Sequence, residues 1–383
     1  MDKLDRRRFL KCSLAAAGGM MLPRVLSGGS ILGSGGDASA SVAHAGLSQV
    51  EARYYKKLEH KEIECELCPR KCKVGDRERG YCGCRDNQNG TYYTLVHSYP
   101  CSANVDPIEK KPLFHFLPGT KAFSIATAGC NLNCKFCQNW EISQVRPEQV
   151  RTYHLPPEEI AAYARESGSR SIAYTYSEPI DFYEYMLDCA TAGRKRGIKS
   201  VVITAGYINH EPWLELIREV DAIKVDFKAF TEDFYQDICH GKLKPVMDAL
   251  VDLARSNIWY ELVYLVVPTL NDDSNDIRRM SKWMVKELGS DVPIHFTRFH
   301  PMYLLKNLPP TPVSTLEKAR NVALDEGMNF VYVGNVSGHE GEHTYCPGCR
   351  QVVIKRVGYR IIQMNLKDGK CSFCRKAIPG VWS

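Results

Sequence analysis

Cys130-Asn131-Leu132-Asn133-Cys134-Lys135-Phe136-Cys137 places three cysteines at C-x3-C-x2-C spacing directly after the apolar run 122–128. Gly129 permits a sharp turn out of that run, so the cysteines sit on a loop at a strand end. Three thiolates hold three irons of a cubane [4Fe–4S] cluster, whereas a fully protein-ligated one takes four. The fourth iron is then open to a small molecule, as the unfilled position of a catalytic zinc is. On spacing alone, a zinc knuckle or disulfides also fit. The leading strand and the aromatic Phe136 ahead of the third cysteine favour the cluster.

The segment matches the C-x3-C-x-aromatic-C signature of the radical S-adenosylmethionine (SAM) superfamily and resembles its members. The resemblance implies that Cys130, Cys134 and Cys137 bind the cluster and that the open iron is chelated by the amino and carboxylate groups of SAM. Phe136 would lie near the adenine. One electron from the reduced cluster would split the sulfonium into methionine and a 5′-deoxyadenosyl radical that abstracts hydrogen from a substrate. Such chemistry requires a closed, water-poor cavity.

Outward from the motif, apolar β-branched runs at 122–128, 171–176, 200–204, 222–227, 259–267, 294–299 and 329–333 read as strands. Helix-like stretches at 156–166, 181–196, 211–220, 245–256, 276–288 and 315–326 separate them. Regular alternation predicts an α/β fold with a parallel sheet, here a partial (β/α)6 barrel with chemistry at the C-terminal strand ends. Residues 104–120 read as a surface connection by their prolines and paired lysines. The same string resembles the segment ahead of the cluster motif in the radical SAM member of the AmmeMemoRadiSam system, a family similar to pyruvate formate-lyase activating enzymes.

Polar motifs follow the strands. Tyr174-Thr175-Tyr176-Ser177-Glu178-Pro179 stands where radical SAM proteins carry a Gly-Gly-Glu-like element that receives the SAM ammonium. The double glycine is absent, and Ser177 is the one departure from the AmmeMemoRadiSam pattern. Thr175, Ser177 and Glu178 are therefore candidate SAM contacts, with Glu178 equally readable as a helix N-terminal carboxylate. Thr204 ahead of Gly206 closes the third strand. Asp226-Phe227-Lys228 closes the fourth, and its resemblance to the Asp-x-Lys element of glycyl-radical-enzyme activases implies that Asp226 and Lys228 face SAM. Two charges on one strand face also read as a plain ion pair. His295, Arg298 and His300 are candidate substrate contacts, or a satisfied buried histidine and a structural ion-pair partner.

Sixteen cysteines in mostly C-x2-C-like groups read as metal sites rather than disulfides. Cys65, Cys68, Cys72 and Cys82, with Cys84 and Cys101 further on, form a loop-rich module that takes zinc or a second iron–sulfur cluster, as a structural site or an electron relay. Cys346, Cys349, Cys371 and Cys374 form paired knuckles suited to tetrahedral zinc, with rubredoxin-like iron the runner-up. Cys189 and Cys239 read as buried, inert thiols.

The N-terminus, Arg6-Arg7-Arg8-Phe9-Leu10-Lys11 before a modestly apolar run, resembles a twin-arginine export signal. It predicts a periplasmic or membrane-associated protein, and a cytoplasmic one if the leader is a plain basic tail. Residues 1–45 carry +3 of the +6 net charge, leaving too small an excess elsewhere to argue for nucleic acid. No other run reaches the ~20 apolar residues of a membrane span. The organisation expected is a leader at 1–45, a Cys-rich module and lead-in at 46–120, the barrel at 121–340 and a zinc-ribbon-like module at 341–383. The function expected is that of a radical SAM enzyme with a one-electron donor and a protein substrate. The alternatives are an exported multi-centre iron–sulfur carrier that binds no SAM, and a scaffold of structural zinc sites.

Overall fold

The computed structural model describes residues 47–383, so the twin-arginine-like leader lies outside the described residues. Six short strands come first: β1 (Val50–Glu51), β2 (Tyr55–Lys57), β3 (Ile63–Cys65), β4 (Lys73–Val74), β5 (Arg85–Gln88) and β6 (Thr91–Thr94). They pair as two antiparallel sheets, β1-β6-β5 and β2-β3-β4.

Eight strands then make one sheet: β7 (Ser102–Pro107), β8 (Lys121–Ala126), β9 (Ser171–Tyr174), β10 (Lys199–Thr204), β11 (Ala222–Asp226), β12 (Trp259–Val266), β13 (Ile294–Arg298) and β14 (Val331–Gly334). Their spatial order follows the chain order, and every pair from β8 to β14 is parallel. Six helices cross between them: α1 (Pro157–Glu166), α2 (Tyr183–Arg194), α3 (His210–Glu219), α4 (Leu243–Ala254), α5 (Ser274–Glu287) and α6 (Val313–Asp325). The six expected βα units are present, and β14 ends the series as a seventh parallel strand. β9 is buried at every residue and β8 at all but its first, as strands covered on both faces must be. The helices bury one stripe each, such as Ile160, Ala161 and Ala164 of α1.

The segment 104–120 is not the expected surface connection: its first residues, 104–107, belong to the edge strand β7, antiparallel to β8. Their polar residues concealed it, because only Ala103 and Asp106 of this strand turn inward. The segment after it is also interior. Glu261 on β12 accepts the backbone N–H groups of Phe114 (3.0 Å) and His115 (2.7 Å), Trp259 Nε1 (3.1 Å) and His295 Nε2 (2.8 Å). All of this carboxylate's capacity is used, which is what its full burial demands.

The chain ends in β15 (Thr344–Tyr345), β16 (Val352–Val357), β17 (Arg360–Met364), β18 (Leu366–Lys367) and β19 (Lys370–Cys371). Arg356 on β16 is fully buried, donates to Phe114 O (2.8 Å) and Thr344 Oγ1 (2.8 Å), and lies 4.2 Å from the Phe114 ring centroid. This arginine fastens the C-terminal hairpins to the lead-in segment. Among the described residues no helix is long and apolar enough to cross a membrane.

Candidate active site

Strand register brings the predicted motifs to one end of the sheet. Tyr174 pairs with both Ile125 and Val202, Thr204 with Val225, and Asp226 with Val263, so the loops after β8, β9, β10 and β11 open together. A cavity of about 420 Å³ lies there, walled by Cys130, Cys134 and Cys137 together with Thr175, Ser177, Glu178, Asp226 and Lys228. Larger clefts of about 740 and 560 Å³ lie around α3 and α4, away from Cys130, Cys134 and Cys137, the second of them bordered by Pro69 and Lys71.

The loop 130–137 is fixed by its backbone. Asn133 N–H donates to Cys239 O (3.1 Å) and Lys135 N–H to Ile238 O (2.9 Å), while the Asn131 side-chain amide donates to Tyr207 O (2.8 Å). Leu132 N–H points at Cys130 Sγ (3.4 Å), and Cys137 Sγ is 3.2 Å from Ser143 Oγ. Burial raises both thiols, Cys130 and Cys137, and these donors only partly offset it. Phe136 is buried, 5.9 Å from the Phe234 ring, and Lys228 Nζ lies 6.0 Å from its centroid.

Glu178 is buried and accepts from Thr204 Oγ1 (2.5 Å), Ala205 N–H (2.8 Å) and Ile180 N–H (3.2 Å). The last bond makes it the N-cap of the 3-10 turn Pro179–Phe182, so the capping reading holds. Three bonds occupy three of about four acceptor positions on a carboxylate, and its side chain lines the cavity. Burial pushes its pKa up, against the pull of Thr204 and Ala205. Thr204 does not line the cavity. It positions Glu178 and takes the Gly206 N–H (3.0 Å). Ser177 donates to Thr127 O (2.7 Å), closing the loops after β8 and β9 on each other.

Asp226 bonds both Lys224 and Lys228 (3.0 Å to the latter). Burial works against its ionised form, but the two ammonium groups prevail and hold it at about 2. Lys228 is shifted upward, burial being outweighed by Asp226 and then Cys134. The expected ion pair is therefore present, and it stands in the cavity wall.

Sequence reasoning missed a further part of the wall. Lys111, taken for a surface residue, is 2% exposed and lines the cavity with Lys110 and Tyr176. Asp106 on β7 bonds Lys111 (2.5 Å), Lys110 (2.9 Å) and the Tyr176 hydroxyl. Burial lowers Lys111 to about 8, although Asp106 resists. Tyr176 takes φ 68°, a left-handed conformation that costs a non-glycine residue ~1–2 kcal/mol and clusters at functional sites. Nothing local in 104–111 signals this, because the partner Tyr176 is about seventy residues away.

Of the proposed substrate contacts, His295 is the satisfied buried histidine, bonded to Glu261 in the core. Arg298 donates to Thr311 O (2.8 Å), a backbone partner rather than a carboxylate, and His300 is exposed. Thr297 stands in the cavity wall in their place.

The other cysteines fall into two arrangements. Cys346, Cys349, Cys371 and Cys374 place four sulfurs within 4.8 Å of one another, with Cys346–Cys374 at 3.5 Å and Cys349–Cys371 at 3.7 Å. Tetrahedral bonds of ~2.3 Å to one ion put sulfurs ~3.8 Å apart. Cys82 and Cys84 gather instead with Asp181, while Cys65, Cys68 and Cys72 join no such group of three or more. Cys101 points to Ala126 O (3.5 Å). Cys189 and Cys239 are buried as expected, though Cys239 hydrogen-bonds Cys134.

The Radical SAM superfamily pattern matches residues 124–280. An uncharacterized protein of Methanocaldococcus jannaschii, MJ0808, is 43% identical over 330 residues, 86% of this chain and 98% of that protein. Pyruvate formate-lyase 1-activating enzyme of Escherichia coli K12 is 21% identical over 252 residues, 62% of this chain and 98% of that enzyme. A domain of pyruvate-formate lyase-activating enzyme from Bacteroides vulgatus aligns with a TM-score of 0.39 at 16% identity, covering 43% of this chain and 99% of that one. With its parallel sheet, its cysteine loop at the strand ends, the superfamily match over residues 124–280 and the 43% identical relative, the chain belongs to the radical SAM superfamily.

Proposed function

We propose that this protein is a radical SAM enzyme of the activating type, similar to the radical SAM member of the AmmeMemoRadiSam system, acting on a protein substrate. The observation that carries the reading is one cavity that gathers Cys130, Cys134 and Cys137 with Glu178, Asp226 and Lys228 from separate strands. Membership implies a [4Fe–4S] cluster and SAM, and the loop fits the cluster. Its three sulfurs are not drawn within 4.8 Å of one another, as single-ion ligands are. Cubane ligands each take a different iron and stand further apart. When bound, the cluster supplies one electron to the SAM sulfonium, yielding a 5′-deoxyadenosyl radical able to abstract hydrogen.

The chain's own residues supply binding and enclosure. Glu178 offers its free acceptor position to the SAM ammonium, and Lys228, kept charged by Asp226, faces the SAM carboxylate. Phe136 provides an apolar surface for the adenine, while Thr175 and Ser177 complete the wall and Thr204 holds Glu178 in place. Lys111 and Tyr176 also line the cavity, where the substrate's reacting group enters. The four C-terminal cysteines are assigned to structural zinc, whose bond length their spacing matches. The leader is assigned to twin-arginine export.

The test is anaerobic reconstitution with iron and sulfide, reduction by dithionite, and chromatography for 5′-deoxyadenosine after SAM is added. Product that vanishes in Cys134→Ala is expected. A fully loaded cluster that yields none, with spectra indifferent to SAM, would refute the enzyme and leave an electron carrier.

A further inference from the structure

A second group of sulfurs stands directly behind the catalytic loop. Cys65 ends β3, Cys68 and Cys72 lie on the turn into β4, and Cys82 and Cys84 precede β5. Cys65, Cys68 and Cys84 are buried and the other two half-buried. Cys65 N–H donates to Cys72 O (2.9 Å), which draws the ends of that turn together. Cys82 is an electrostatic neighbour of each of Cys65, Cys68 and Cys72.

The contact with the catalytic loop is immediate. Gly129 has φ +102°, and a Cβ there would stand 2.6 Å from Cys82 O and 3.1 Å from Cys84 Sγ. Asp181, 3% exposed, accepts the Asn131 N–H with its carboxyl group on one side and meets Cys82 and Cys84 on the other. The Cys84 thiol itself donates to Asp181 O (3.6 Å). Cys84 so stands between the catalytic loop and Cys65, Cys68, Cys72 and Cys82, the four that the C-x2-C-x3-C-x9-C spacing groups as a ligand set.

Asp181 Oδ2 and Arg85 Nη1 are buried here without a partner, as are Asn131 Oδ1 and Asn133 Oδ1 of the catalytic loop. Arg85 commits its other nitrogens to Glu184 (2.6 Å) and Asp181 O (3.3 Å), and its charge acts on Cys65, Cys82 and Cys84. A buried cation that acts on three of these thiols and keeps one N–H unpartnered suits an anionic cluster. The spread of the sulfurs separates an ion from a cluster. Where a single ion fits, as in the C-terminal knuckles, four sulfurs crowd together. Cys65, Cys68 and Cys72 do not, and neither do Cys130, Cys134 and Cys137.

We infer that Cys65, Cys68, Cys72 and Cys82 hold a second iron–sulfur cluster, which relays electrons across Cys84, Gly129 and Asp181 to the cluster at Cys130, Cys134 and Cys137. A low-potential one-electron donor protein, such as a reduced flavodoxin, reduces the second cluster. That cluster returns to its oxidised state by passing the same electron on, and no atom is transferred. The inference rests on the function proposed above.

The full chain, prepared anaerobically, is the material for the test. Cys130→Ala, Cys134→Ala and Cys137→Ala combined should keep about half the wild-type iron and acid-labile sulfide, roughly four atoms of each per chain. Its dithionite-reduced electron paramagnetic resonance signal should be unmoved by SAM. Zinc at that site, or no metal, overturns the inference. In Cys68→Ser with Cys72→Ser, SAM cleavage driven by dithionite should stay within about twofold of wild type, while cleavage driven by reduced flavodoxin falls roughly tenfold or more. Equal effects on the two donors overturn the relay. Should that variant fail to fold, freeze-quenched wild type mixed with reduced flavodoxin decides the same question. The SAM-insensitive signal must rise before the SAM-sensitive one, and the reverse order overturns the relay. Dithionite-driven cleavage tests the proposed function separately, since it survives failure of the relay.

Discussion

Gly129→Ala probes the seam between the two cysteine groups. At φ +102° an alanine incurs at least the left-handed penalty, about 1–2 kcal/mol. Its Cβ would also stand 2.6 Å from Cys82 O, a backbone atom that cannot swing aside, and overpacking of this kind costs about 1–3 kcal/mol. Together these predict a loss of about 2–5 kcal/mol, a melting temperature about 3–7 °C lower for a chain of this size. Gly168→Ala is the control: φ is +69° there, yet nothing lies within 4 Å of the added Cβ, so only the backbone penalty applies. The assay is anaerobic thermal unfolding of both variants beside wild type, with iron measured on each. Gly129→Ala should melt well below Gly168→Ala and bind less iron. If the two variants melt together with unchanged iron, the packing of Cys82 and Cys84 against the catalytic loop is wrong.

Asp226→Asn removes the shared counter-charge of Lys224 and Lys228 and should weaken SAM binding by roughly tenfold, ~1.4 kcal/mol, measured by calorimetry on the loaded protein. Unchanged affinity would return Asp226 to a purely structural ion pair. Buried His115 is lowered from 6.5 to about 4, chiefly by burial, with Glu261 opposing. The unfolded chain therefore takes up the proton first. The stability of the neutral form is complete above pH ~6.5 and is lost as pH falls towards 4, about 2 kcal/mol by pH 5, so a flat urea midpoint between pH 7.5 and 5 would exclude it. Cys346→Ser with Cys349→Ser should release one bound zinc per chain by elemental analysis while leaving the SAM-responsive cluster intact. Arg6→Lys with Arg7→Lys should hold the protein in the cytoplasmic fraction, and unchanged fractionation would end the export reading.

The barrel was legible because its signals are local. Apolar runs of strand length alternate with 3.6-residue periodicity, and the observed helices begin and end within a few residues of the expected ones. Glu178, Asp226 and Lys228 were legible as polar residues just past apolar strands. What escaped was whatever depends on a distant partner. Lys111 reads as solvated until Asp106 and Tyr176 enclose it. Asp181 reads as a helix-start residue until the chain from 82 to 84 folds against it. Arg85 and Glu184, 1% and 5% exposed, form a buried pair spanning about a hundred residues that no window of sequence contains.

Spacing carries less information than its regularity suggests. C-x2-C occurs at Cys65–Cys68, Cys134–Cys137, Cys346–Cys349 and Cys371–Cys374, and the motif alone treats all four alike. The fold sorts them. Two such turns brought face to face across a hairpin converge on a single point and suit one ion. A turn that faces a cavity lined by carboxylates and ammonium groups instead leaves its sulfurs apart, with room for a cluster and a small molecule. The Cys65–Cys68 turn is of the second kind, but it faces a buried arginine and an unpartnered carboxyl oxygen rather than an open cavity. Cys72 and Cys82 are half-buried, which leaves a donor protein an approach to a cluster there. On its inner side Cys82 and Cys84 pack against Gly129 of the catalytic loop, a contact that suits electron transfer between the two cysteine groups.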